Sequence, residues 1–172
     1  PVRVKSMDLS VPVGPGLLGR VIDPMGEPLD GRPLTGIEGS RSLRAVPPTP
    51  MSRKRIRRPL ETRIRAIDGL LTLGDGQRIA IMAGSGVGKS TLLGMFARSS
   101  NADINIVALI GERGREVREF LERDLGAEGM SRSVIVVATS DRTPVMQVKG
   151  MVTALALAEH DRDMGKRVLF MC

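Results

Sequence analysis

The sequence predicts an α/β fold built on a mainly parallel sheet, and three observations carry that reading. Short apolar runs alternate with helix-length stretches through the second half of the chain, and strands that alternate with helices imply right-handed crossovers. The apolar runs are continuous rather than alternating, as expected of strands covered on both faces. A glycine-rich turn joins one such run to an apolar helix that opens on Gly88-Lys89-Ser90.

Taken in chain order, residues Pro1 to about Asp30 are rich in Val, Leu, Gly and Pro. Leu17–Asp23 reads as a strand and Asp23-Pro24-Met25-Gly26 as a turn, so this part reads as the tail of a small β domain. Leu34–Pro50 contains Pro47, Pro48 and Pro50 with little periodicity and reads as linker-like or irregular. Arg53-Lys54-Arg55 and Arg57-Arg58 form a basic strip, read as a solvated surface in preference to a nucleic-acid contact. Within Glu61–Leu71, Ile64, Ile67, Leu70 and Leu71 fall at helical spacing. Further strands are expected at Arg78–Met82, Asn105–Ile110, Ser133–Thr139 and Arg167–Met171. Helices are expected between them at Lys89–Arg98, Gly114–Asp124 and Pro144–Met164.

Composition narrows the classes. The chain has 172 residues, one domain's worth or slightly more, and 41% of them are apolar, enough for a core. It has three Phe and no Tyr or Trp, which argues against base-stacking platforms for single-stranded nucleic acid. A formal charge of +7 favours anionic partners without choosing among them. The single cysteine, Cys172, excludes an internal disulfide and fits a reducing compartment. No apolar run reaches the length of a membrane span. The chain starts at Pro1 and stops at Cys172 inside an apolar run, and it reads as a piece of a longer protein.

The stretch RIAIMAGSGVGKSTLL, Arg78 to Leu93, organises the rest. It has the parts of a phosphate-binding loop. Glycines let successive N–H groups curl toward one point, and the following helix adds its positive end. Gly84, Ser85, Gly86, Val87, Gly88, Lys89, Ser90 and Thr91 are the candidate binding residues, with Lys89 as cation for the outer phosphates and the Ser90 hydroxyl as Mg²⁺ ligand. Counting back from Gly88, the position where the usual pattern has its first glycine is Ala83. Alanine tolerates most turn geometries except positive φ, so the loop is expected to survive.

A second constellation follows the strand Asn105–Ile110, in Gly111-Glu112-Arg113-Gly114-Arg115-Glu116. Ligands of parallel sheets sit at the carboxyl ends of strands. If this strand neighbours the loop strand, Glu112 faces the outermost phosphate, where a carboxylate can orient and deprotonate water. Arg113 could then contact phosphate oxygens and offset developing charge. Spacing alone leaves that reading level with a charged turn held by local ion pairs. His160 has no second His or Cys at metal spacing and reads as solvated. Asp141 reads as a helix N-terminal acid.

These residues resemble a known family. Ala83–Ser90, Gly111–Val117 and Val136–Asp141 look like the ATPases of type III protein export, which comprise the flagellar export ATPase and its virulence-secretion relatives. Both are related to the catalytic beta subunit of rotary ATP synthases. Glu122-Arg123-Asp124-Leu125-Gly126 and Met51–Asp68 fit the export branch, and Pro12–Val21 resembles its exit from an N-terminal β-barrel. An alanine at position 83 is usual in that family.

The resemblance implies a RecA-like P-loop NTPase core. Residues 1–30 would be the end of the barrel, and 31–172 a partial ATPase domain cut before the aspartate that holds Mg²⁺ through water. It implies an Mg-dependent ATPase working as a homo-hexamer, with ATP and Mg²⁺ as cofactors, Lys89 and Ser90 in the phosphate and metal roles, and Glu112, Arg113 and Lys89 as the catalytic set. Implied partners are the export apparatus's regulator and stalk proteins, export chaperones and their substrates. The implied location is cytoplasmic, peripheral to the bacterial inner membrane at the export gate, with no nucleic acid expected. The trans arginine and the adenine pocket would lie downstream, so this piece alone is expected not to turn over. Two alternatives stand beside this reading: a catalytic-type subunit of a rotary ATP synthase, and an RNA translocase of the termination-helicase type.

Overall fold

A computed structural model describes residues 8–84 and 86–172. Its centre is a four-stranded parallel sheet. β1 (Ser10–Val13) lies outside it, whereas β2 (Arg20–Ile22) forms one edge. β3 (Gly39–Ser42) pairs antiparallel with β1, and β4 (Pro59–Leu60) pairs with β5 (Leu73–Gly74) around α1 (Arg65–Leu70). Next come α2 (Lys89–Ser99), β6 (Ile104–Ile110) and α3 (Gly114–Glu119). A π-helical turn (Phe120–Leu125), α4 (Gly126–Ser131), β7 (Ser133–Ala138), α5 (Pro144–Asp163) and β8 (Val168–Met171) complete the chain. The central order is β2-β7-β6-β8, with every pairing parallel.

The continuous apolar runs have the meaning expected of them. In β6 and β7 every residue from Ile104 to Leu109 and from Ser133 to Ala138 is buried. Side chains alternate between two cores, because successive strand residues point to opposite faces. Ile104, Ile106, Ala108, Val134 and Val136 pack with Ala154, Ala156 and Leu157 of α5 and with Val11, Val13 and Leu17. Val107, Leu109, Ile135 and Val137 pack on the other face with Phe96, Ala97, Phe120, Leu125, Ile64 and Ile67.

Three expectations differ from what the chain does. Arg78–Met82 forms no strand; Ile79 is 48% and Met82 92% exposed. An apolar run supplies the side chains of a strand, but a strand exists only as half of a pair, and no described segment pairs with this one. β3 lies inside the stretch read as irregular. Its Gly-Ser-Arg-Ser sequence carries no apolar signal, and only the long-range ladder to β1 makes it a strand. The helix expected over Glu61–Leu71 is confined to Arg65–Leu70, because Arg63 sits at φ 58° and Asp68 accepts from the Thr62 and Arg63 amides instead. Leu70 and Leu71 are exposed, so only Ile64 and Ile67 of the apolar face are buried.

β2 falls within the residues expected to close a preceding barrel, yet it extends the central sheet by pairing with Val134–Val136. Arg20 of β2 in turn ties down the chain that follows it through a charge network. Arg20 meets Asp30 in a two-pronged ion pair of 2.6 and 2.7 Å and donates to the carbonyls of Arg32 and Pro33. The hydrogen bonds from Arg20 hold the Asp30 carboxyl well below the usual carboxylate range, against the opposing effect of burial. Because the folded state lowers this pKa, the stabilisation is complete above the unfolded value near pH 4 and is lost as pH falls below it. Asp30→Asn is expected to cost about 3 kcal/mol at pH 7, since it strands a buried guanidinium, and to flatten the acid limb of stability against pH. Urea unfolding between pH 3 and 7 measures both. An unchanged acid limb in the variant would refute this account of the ion pair.

Candidate functional site

The carboxyl ends of β6 and β7 meet above the sheet and are stitched by main-chain bonds. Gly111, at φ 76°, turns the chain out of β6. Its N–H donates to the Ala138 carbonyl at 2.7 Å, and the Ser140 N–H donates to the Glu112 carbonyl at 3.0 Å. The backbone of Glu112 is thus fixed at the sheet's carboxyl rim, where parallel sheets present ligand sites.

The glycine-rich loop leads into α2, whose Phe96 and Ala97 pack on one sheet face with Val107 and Leu109. Gly86 and Gly88 take φ of 78° and 97°, values that side-chain-bearing residues rarely adopt. The loop opens on free space, since a Cβ built at Gly84, Gly86 or Gly88 would meet nothing within 4 Å. Among the described residues the non-glycine positions with positive φ are Arg63 and Thr72, not Ala83, so alanine fits its position. Ser85 lies outside the described residues. The first helical bond of α2 runs from the Leu92 N–H to the Gly88 carbonyl. The amides of Lys89, Ser90 and Thr91 precede it and have no partner within the helix. No side chain caps this end.

Electrostatics join the two parts. Burial pushes the half-buried Glu112 carboxyl up from its ordinary value, a hydrogen bond with Glu116 pushes the same way, and the positive charge of Lys89 pulls it down. The same hydrogen bond, made to its charged form, holds Glu116 low, and Arg113 assists. The two carboxyls are thus pushed in opposite directions, and the charge of Lys89 bears on Glu112. The Arg113 guanidinium meets Glu116 at 3.3 Å. Its partner in this structure is that carboxylate, as in the charged-turn reading. The Asp141 carboxyl is lowered chiefly by a hydrogen bond from Thr139, and Thr143, not Asp141, caps α5 by accepting from the Met146 N–H.

The described residues suit a polyphosphate. Unpartnered amides, positive-φ glycines facing open space and one lysine make an anion cradle at a helix start. Among the described residues no cluster of three or more His, Cys, Asp or Glu is placed to hold a metal ion. A hard cation is instead matched by the exposed Ser90 hydroxyl together with phosphate oxygens and water, the donor set Mg²⁺ prefers.

Residues 63–172 match the ATP synthase alpha/beta family, nucleotide-binding domain. The chain belongs to that family. Among curated proteins, it is 55% identical over 170 residues to the flagellum-specific ATP synthase of Bacillus subtilis, covering 99% of this chain and 39% of that protein. It is 54% identical over 163 residues to the type 3 secretion system ATPase of Xanthomonas euvesicatoria, covering 95% and 37%. It is also similar to the solved structure of the assembled ATPase EscN in complex with its central stalk EscO, from the enteropathogenic E. coli type III secretion system. The TM-score is 0.88, with 51% identity over 95% of this chain and 40% of that one. The chain thus spans well under half the length of the curated relatives it matches. Among the described residues no helix is long and apolar enough to cross a membrane.

Two features of this ATP synthase family site escaped sequence reasoning. Glu116 stands four residues beyond Glu112, a spacing visible in the sequence, but its pairing with Glu112 depends on the turn at Gly111. Thr91 turns its hydroxyl onto Asp124, 33 residues away, and nothing in the sequence marks that pair.

Proposed function

We propose that this chain carries the phosphate-gripping and water-activating half of an ATPase that energises type III protein export. The observation that carries the reading is the loop geometry at the start of α2, where Gly86 and Gly88 take positive φ and open on free space, with the Glu112 backbone pinned at the carboxyl rim of β6. Relatives more than half identical to it bear flagellar and type 3 secretion ATPase names, which supports the export reading over a rotary synthase subunit or an RNA translocase.

In this reading the amides from Gly84 to Thr91 hold the β- and γ-phosphate oxygens, and Lys89 adds its charge to them. Ser90 would offer its hydroxyl to Mg²⁺, which when bound would neutralise phosphate charge. Glu112 orients the attacking water and takes its proton; a raised pKa makes it a stronger base. Arg113 stands beside it, paired to Glu116, from which it could swing to the phosphate as charge develops. The parent protein would work as a homo-hexamer around a stalk. Its partners would be the export regulator, chaperones and substrates, and it would sit in the cytoplasm against the inner-membrane export gate. Residues 1–30 would close a preceding β-barrel, and 31–172 would belong to the ATPase domain.

The test is twofold. Purified full-length protein is expected to release phosphate from ATP at a rate unaltered by added RNA, and its gene to restore export in a strain lacking its own export ATPase. Hydrolysis that requires RNA, with binding that falls steeply with salt, would transfer the protein to the translocase class.

A further inference from the structure

We infer that Asp124, acting through Thr91, is a positioning residue that sets the first turn of α2 against the segment descending from Glu112; the inference rests on the nucleotide-site reading above. Thr91 directly follows Ser90, and its Oγ1 donates to Asp124 Oδ1 at 3.2 Å. Asp124 is only 5% exposed. A carboxylate so enclosed needs partners, and besides Thr91 it receives the Arg123 guanidinium through Nε at 3.4 Å and Nη2 at 3.2 Å.

The backbone around Asp124 is fixed independently of this bond. Phe120 and Leu125, at the two ends of the π-helical turn, are 4% and 0% exposed in the core. One turn along α2 from Thr91, Gly94 lets the Asp124 carbonyl come so close that a Cβ there would lie 2.2 Å from the oxygen. The π-helical turn widens the coil at this point, a local distortion that recurs at functional sites. Together these contacts close a ring. From Glu112 the chain runs through α3 and the π-helical turn to Asp124, crosses by hydrogen bond to Thr91, and returns along the first turn of α2 to Lys89. Asp124 thereby fixes the distance between the phosphate grip and the carboxylate that would activate water. Its effect on the site passes through Thr91.

Thr91→Val removes the hydroxyl while keeping the shape and the main-chain amide. In the full-length protein this variant is expected to lower kcat about tenfold, roughly what one hydrogen bond to a charged group contributes. Nucleotide affinity, read with a fluorescent ATP analogue, should stay within about twofold, because the amides and Lys89 are intact. Thr91→Ser should recover most of kcat, and Asp124→Asn combined with Thr91→Val should fall little further than either alone. A purely structural role would move kcat and affinity together and would not separate serine from valine. Unchanged kcat in Thr91→Val, or equal damage in the serine and valine variants, would overturn the inference, and the valine–serine comparison decides even if Asp124→Asn fails to fold. Undiminished hydrolysis in Lys89→Ala would instead remove the nucleotide-site reading beneath it.

Discussion

Lys89→Ala in the full-length protein is expected to lower steady-state ATP hydrolysis by about a thousandfold. Two separate losses combine in that figure. The cation at the head of α2 no longer offsets charge on the outer phosphates, and its effect is largest in the transition state. Glu112 also loses the Lys89 charge, which favours its ionised form. Burial and the hydrogen bond with Glu116 then act unopposed and push its carboxyl further up. Residual activity should therefore have its acid limb shifted toward higher pH than in the wild type, because the base must lose a proton that is now held more tightly. Phosphate release measured from pH 5 to 9 tests both parts. Activity above a tenth of wild type would contradict the role given to Lys89.

Glu112→Gln is expected to reduce kcat by about 10²- to 10⁴-fold with little change in nucleotide affinity. Glutamine keeps the size of the side chain and can still hydrogen-bond to Glu116. The two main-chain bonds that place residue 112, from Gly111 to Ala138 and from Ser140 to Glu112, do not involve its side chain. What disappears is the ability to accept a proton from water. The variant should bind an ATP analogue normally, retain its unfolding midpoint and accumulate unhydrolysed ATP. A parallel loss of binding would mean that Glu112 holds the loop in place and does no proton chemistry.

Much of this architecture can be read from the chain because both faces of the sheet are covered. Continuous apolar runs mark β6, β7 and β8 to within a residue or so, and the 20 residues of α5 fall where the long helix is expected. The phosphate loop is legible for a different reason. Its glycines are required by backbone conformation, at Gly86 and Gly88, so sequence and geometry are tied without reference to the rest of the fold. Pairing between distant segments is not legible in the same way. The β1–β3 ladder and the Thr91–Asp124 bond join residues that share no pattern, so only the folded chain shows them. The segment Arg78–Met82 shows the converse: its composition suits a strand, yet composition carries no information about what lies alongside.

That segment bears on how firmly the site can hold a ligand. Five residues leading straight into the loop pair with no strand among the described residues, while the far side of the loop is tied down by α2. A grip anchored at one side only must settle its own slack when an anion arrives, at roughly 1–2 kcal/mol for each residue brought to order. Nucleotide affinity at this site is then not a property of the glycines alone. Pairing of residues 78–82 with a further strand would remove part of that ordering cost and tighten binding.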